Sequence, residues 1–154
     1  MIRLILALTF AGVSWAQTLE IPGAAVTRGS ANIFRILLTP NADRPVAALQ
    51  WELVVPVGLR IEAKDVVVGS AAESAGKSVS CSSRNDPKDG RVCMCILAGG
   101  IQSLGEGAIA IVKFSAAADA NPGQAIVRMQ KIQGVSADLK MVTIAGAEAP
   151  ITIR

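Results

Sequence analysis

Histidine and tyrosine are both absent from this 154-residue chain. Without histidine it lacks the side chain that most often acts as a general base and most often ligates a metal. Aromatic residues make up only 3% of the sequence. Charge is also sparse: 18% of residues are ionic, the net charge is +3, and no run of bases exceeds two. Such a mixed, dilute surface excludes a nucleic-acid footprint. No stretch carries the roughly 20 consecutive apolar residues needed to span a bilayer. Long 3.6-residue periodicity is missing too, which excludes a helical bundle.

Hydrophobic residues, at 51%, are plentiful. The length fits one domain, and a domain of this size buries roughly two-thirds of its unfolded surface. Met1-Ile2-Arg3 forms a short basic start, residues 4–13 are apolar, and Ser14-Trp15-Ala16 supplies small residues before a cut after Ala16. Residues 1–16 therefore read as a secretory signal peptide, and residues 17–154 as one exported domain. No cysteine follows the apolar run, so a lipid anchor is not expected. The expected location is secreted or periplasmic, with no membrane insertion after signal removal. Phe34, Trp51 and Phe114 are then the only aromatics left.

The most apolar line of the domain is residues 104–115 (LGEGAIAIVKFS). Two glycines bend the backbone before a run rich in residues that favour a pleated strand. Apolarity on both of its faces predicts a central strand. Shorter strands are predicted around it. Residues 18–26 are interrupted by Pro22-Gly23, which predicts an edge or a bulge. Residues 31–38 and 46–55 follow, the second alternating cleanly. Leu49, Trp51, Leu53 and Val55 point inward, while Ala48, Gln50, Glu52 and Val54 point outward. Residues 59–68, 77–83, 91–98, 124–132 and 149–153 complete the set. Residues 70–76 (SAAESAG) are the one plausible helix, of a turn or two. Nine strands at roughly 10–15-residue spacing predict an all-β, antiparallel sandwich.

Residues 84–90 (RNDPKDG) carry turn chemistry between two strands and predict a hairpin. Its arms hold Cys81, Cys93 and Cys95. Folding the hairpin about Pro87-Lys88 brings Cys81 opposite residues 93–95, and export favours a disulfide. Cys81 can pair with Cys93 or with Cys95, and one thiol is left over. A closed zinc site needs four ligands, so none is expected from three cysteines without histidine.

Other chemistries find little support. Gly76-Lys77-Ser78 lacks the earlier glycine of a phosphate loop, because Ala71 stands there. In residues 85–90, Pro87 falls where a calcium ligand should sit and Ile96 where the bidentate glutamate should. Glu52, Glu62 and Glu106 are not placed across a cleft as an acid/base pair would be. No catalytic residues, metal or cofactor are expected. Three aromatics inside strands make no exposed sugar-stacking platform.

Several lines in order resemble the cohesin family. Residues 107–114 (GAIAIVKF) are similar to its strand motif of Gly followed by Ile/Leu-Ala-x-Ile/Val-x-Phe. Residues 91–100 (RVCMCILAGG) stand where the family has a strand ending in a small-residue turn. Residues 46–59 resemble its aromatic-x-aliphatic strand, with Val55-Pro56-Val57 where the family commonly carries Tyr-Asp-Pro. Val127, Met129, Ile132 and Val135, then residues 150–153 (PITI), fit the last two strands. The resemblance implies a nine-stranded jelly-roll, close in fold to some carbohydrate-binding modules, and a non-catalytic binding role. Dockerin-binding cohesins use one outer sheet face. The matching candidates here are Ala48, Gln50, Glu52 and Val54. The implied partner is another protein, of dockerin type, or a cell-surface component. The alternative is a polysaccharide, bound by a module of polysaccharide breakdown.

Overall fold

The computed structural model describes residues 17–154; the signal-peptide reading of residues 1–16 lies outside the described residues. The strands are β1 (Gln17–Glu20), β2 (Ala24–Val26), β3 (Ala31–Thr39), β4 (Ala48–Val55), β5 (Leu59–Arg60) and β6 (Val66–Val68). After helix α1 (Ser70–Ser74) come β7 (Ser78–Asp86), β8 (Gly90–Ala98), β9 (Gly107–Ala116) and β10 (Gly123–Val135). Then follow β11 (Met141–Val142), β12 (Ile144–Ala145) and β13 (Glu148–Ile153). One sheet runs β12-β1-β3-β9-β5, with β6 also on β9; the other runs β2-β13-β10-β4-β8-β7, with β11 on β10.

The expected sandwich is therefore present, and each of the nine anticipated strand regions forms strand. Two of them divide. Residues 18–26 break at Pro22-Gly23, and the halves enter different sheets as β1 and β2. Proline has no N–H to carry a ladder across that point. Residues 59–68 break at a 3-10 turn, Ala63–Asp65, where the Asp65 carboxylate accepts the Glu62 N–H. The short strands β11 and β12 are additions. Pairing is antiparallel except at the margins, where β1 lies parallel to β12 and β2 parallel to β13.

The inward faces of the two sheets form one core. Trp51, Leu53, Leu97, Ile109, Val127 and Ile151 are fully buried. Phe34 and Phe114 meet across β3 and β9 with ring centroids 5.6 Å apart. All three aromatics of the domain are thus interior.

Strand β9 is central, as its apolarity predicts, with β3 on one side and β5 and β6 on the other. Its pairing with β3 slips between Ile36 and Leu37, which face Ala110 and Ala108. The extra residue is Ile109, so Ile109 and Ala110 are both buried although adjacent. A bulge breaks the alternation in this way.

Helix α1 docks on β9 at its own start. The Gly69 N–H donates to Ile109 O at 2.9 Å. The residues read as a rejected phosphate loop have a structural role. Lys77 is buried, and its ammonium donates to Gly99 O at 2.6 Å and Gly100 O at 3.3 Å. Desolvation by that burial lowers its pKa. It ties the entry of β7 to the exit of β8.

Candidate functional site

Strand β4 lies between β10 and β8, with β7 beyond β8. This order aligns the outward side chains in rows. Arg84, Val92, Val54 and Arg128 make one row, and Ser82, Met94, Glu52 and Gln130 the next. Ser80, Ile96, Gln50 and Gln133 make a third.

The alternation of β4 holds: Ala48, Gln50, Glu52 and Val54 lie on the face opposite Trp51. Their expected exposure does not hold. Ala48 and Gln50 are half-buried, whereas Glu52 and Val54 are buried. The cause is the central position of β4, because longer side chains on both neighbours close over it.

Glu52 shows how. Arg84 Nη2 donates to its Oε1 at 3.1 Å, and Gln130 Nε2 donates to its Oε2 at 3.0 Å. Lys131 Nζ lies 3.3 Å from the same Oε2. Lys131 reaches it because β10 bulges between Gln130 and Gln133, with Lys131 at φ 50°. Most side chains avoid that backbone region. Asp89 adds a second acid, 3.6 Å from Arg128 Nη2 and 3.3 Å from Gln130 Nε2.

The acids in this network are covered and the bases project. Glu52 and Asp89 side chains are 7% and 19% exposed, while Arg84, Arg128 and Lys131 are 42%, 48% and 63% exposed. A docking surface meets the bases first. Farther along the same face the character changes. Ile96 is 43% exposed, beside half-buried Met94 and the exposed hydroxyls of Ser78, Ser80 and Ser82. The face therefore has a basic end and an apolar, hydroxyl-bearing end. Sequence reading missed the basic end. Arg84 lies on β7, far in sequence from Arg128 and Lys131 on β10, and nothing in the chain marks the bulge at Lys131.

The cysteines lie beneath this face, on its inward side. Cys81 and Cys95 are directly opposite on β7 and β8, with Cα atoms 4.1 Å apart, and form a disulfide. Cys93 is the free cysteine and is fully buried. Burial pushes its thiol pKa up; Ser83 and Arg91 pull the other way. Glu62, another of the carboxylates singled out, lies 3.8 Å from both Arg60 Nε and Arg91 Nη2. In residues 85–90, Asp86 Oδ1 accepts the Lys88 and Asp89 N–H groups and shapes the hairpin turn. A depression of about 600 Å³ lies elsewhere, lined by Asp43, Arg44, Ser136, Asp138, Lys140 and Met141 among others.

Two layers, this strand order and the sheet-crossing first segment define a jelly-roll β-sandwich. Within that class the fold is that of a cohesin domain. A non-cellulosomal cohesin from the archaeon Archaeoglobus fulgidus is similar at 21% identity and TM-score 0.69, over 90% of this chain and 91% of that one. The OlpA cohesin of Clostridium thermocellum, solved in a type I cohesin–dockerin complex, is similar at 14% identity and TM-score 0.70, over 90% and 99%. The cohesin CaCohA2 of Clostridium acetobutylicum is similar at 11% identity and TM-score 0.67, over 90% of each. No family model and no curated protein matches the sequence.

Proposed function

We propose that this protein is an exported, non-catalytic module that binds another protein through the outer face of β7, β8, β4 and β10. The observation that carries the reading is that face itself. On a cohesin fold, it joins half-exposed apolar side chains at Met94 and Ile96 to projecting bases at Arg84, Arg128 and Lys131. Interfaces combine an apolar centre with a charged rim in this manner. The partner class is dockerin-like, since similar folds are solved in cohesin–dockerin complexes. Ala48 and Gln50 belong to the contact surface. Glu52 and Val54 act from beneath, Glu52 by holding Arg84, Gln130 and Lys131 in place.

The signal-peptide pattern at residues 1–16 supports export, and the Cys81–Cys95 disulfide agrees with an oxidising compartment. For the polysaccharide alternative the described residues supply no stacking platform, because Phe34, Trp51 and Phe114 are all interior.

Binding of the mature domain to a panel of type I dockerins, measured by calorimetry, tests the reading. Ile96→Asp and Gln50→Arg are each expected to weaken the tightest pair at least tenfold, about 1.4 kcal/mol. Val67→Asp, at an exposed position on the opposite sheet, is the control and should leave affinity unchanged. Equal affinity in all three variants would remove this face. Retention on a polysaccharide gel without any dockerin binding would favour the alternative.

A further inference from the structure

The three sulfur atoms of Cys81, Cys93 and Cys95 lie within 4.8 Å of one another, and Cys93 Sγ is 4.0 Å from Cys95 Sγ. Three metal–thiolate bonds of ~2.3 Å in a trigonal plane set sulfurs ~4 Å apart. The spacing of Cys93 and Cys95 already matches that arrangement.

The surroundings hold donors that a thiolate can use and a disulfide cannot. Four buried side-chain polar atoms among the described residues have no hydrogen-bond partner: Gln17 Oε1, Trp51 Nε1, Ser83 Oγ and Arg91 Nε. Three of these four belong to residues next to the cysteines in the sheet, and all three can donate; the Ser83 hydroxyl already acts on the Cys93 sulfur. Trp51 is directly opposite Cys95, and Ser83 directly opposite Cys93. Arg91 precedes Cys93 by two residues on the same face of β8. Leaving a buried donor unpaired is destabilising. Neither a disulfide sulfur nor a neutral thiol is a good acceptor, whereas a metal-bound thiolate is.

We propose that the reduced form of this protein binds one Cu(I) ion through Cys81, Cys93 and Cys95. Soft thiolates select Cu(I), and the histidine-free chain offers no imidazole as the fourth ligand that a closed zinc site needs. The chemistry balances with a low-molecular-weight thiol as reductant. Two thiol molecules break the Cys81–Cys95 bond and leave as their own disulfide. Cu(I) then displaces a proton from each of the three cysteines. Arg91, which also lies 3.8 Å from Glu62, offsets part of the resulting negative charge, and Asp65 opposes it. Cys81, on the outermost strand and only half-buried, gives the ion its way in. Disulfide and copper are mutually exclusive occupants, so the redox state of the compartment selects between them.

The test is an anaerobic titration of the purified protein with Cu(I) against bathocuproine disulfonate as competing chelator. Reduced protein should retain one copper per chain, with three sulfur neighbours by X-ray absorption. Retention should strengthen as pH rises, because three protons leave. Oxidised protein should retain none. Cys93→Ser should weaken retention by more than the ~10–100-fold that loss of a group behind a metal ligand costs. The comparison of oxidised with reduced wild type needs no variant, so a poorly folding Cys93→Ser does not spoil it. Equal retention by oxidised and reduced protein would overturn the site. So would a two-sulfur shell that Cys93→Ser leaves unchanged.

Discussion

Replacing both Cys81 and Cys95 by alanine is expected to lower the unfolding free energy by about 3 kcal/mol. The bond closes a loop of sequence separation 14, and the conformational entropy the unfolded chain regains when that loop is open sets this magnitude. Its position adds to the effect. Strand β7 is the outermost strand of its sheet and has only β8 as a partner. Without the bond, nine residues of edge strand are held by one ladder and a few side chains. The thermal midpoint should fall by about 10 °C for a domain of this size. Scanning calorimetry of the double variant checks it. An unchanged midpoint would mean that β7 is fastened by something other than the disulfide.

A comparable loss is expected from a single added methyl group. A Cβ on Gly69 would sit 2.4 Å from Ala108 O and 2.9 Å from Ala110 N. Both atoms belong to the backbone of β9, the central strand, and cannot swing aside as a side-chain end can. The Gly69 N–H also donates to Ile109 O. Gly69→Ala must therefore lift α1 from the sheet or distort the bulge at Ile109. Overpacking of this severity costs about 3 kcal/mol. Gly105→Ala is the matched control, since a Cβ there meets nothing within 4 Å and its φ is ordinary. It should stay within about 0.5 kcal/mol of wild type. Urea unfolding of the two variants separates them, and equal midpoints would contradict the close approach at Gly69.

The sandwich was legible because β structure writes its burial into every second residue. The alternation through Leu49, Trp51, Leu53 and Val55 identified the inward face of β4 without error. Two-sided apolarity placed β9 in the middle of its sheet. Pro22-Gly23 marked a break, although nothing local could say that its two halves enter different sheets. That outcome depends on β12 and β13, at the far end of the chain.

The disulfide shows how fine the limit is. A hairpin folded about Pro87-Lys88 leaves Cys81 opposite residue 94, midway between the two candidates. The actual register pairs Asp86 with Gly90, so the fold is centred on Lys88 and Cys81 meets Cys95. One residue of turn length decides the pairing. Gly90, at φ 76°, and the two N–H groups gathered by Asp86 supply that residue.

The proposed binding face was only half legible. Its strand and orientation followed from alternation, but its surface did not. Glu52 is covered by residues 32 and 78 positions away in sequence. No local pattern announces such cover, and alternation alone shows only that Glu52 points outward. The bases that project above it became visible only once β7, β8, β4 and β10 were side by side.

The central claim is that the outer face of these four strands takes a dockerin-like protein. Amide chemical-shift mapping of the isotope-labelled mature domain, titrated with an unlabelled type I dockerin, tests it most directly. The account predicts the largest changes at Gln50, Ser80, Ser82, Arg84, Met94, Ile96 and Lys131. Changes centred on Ile33 and Val67 of the opposite sheet, or no changes at saturating dockerin, would contradict it.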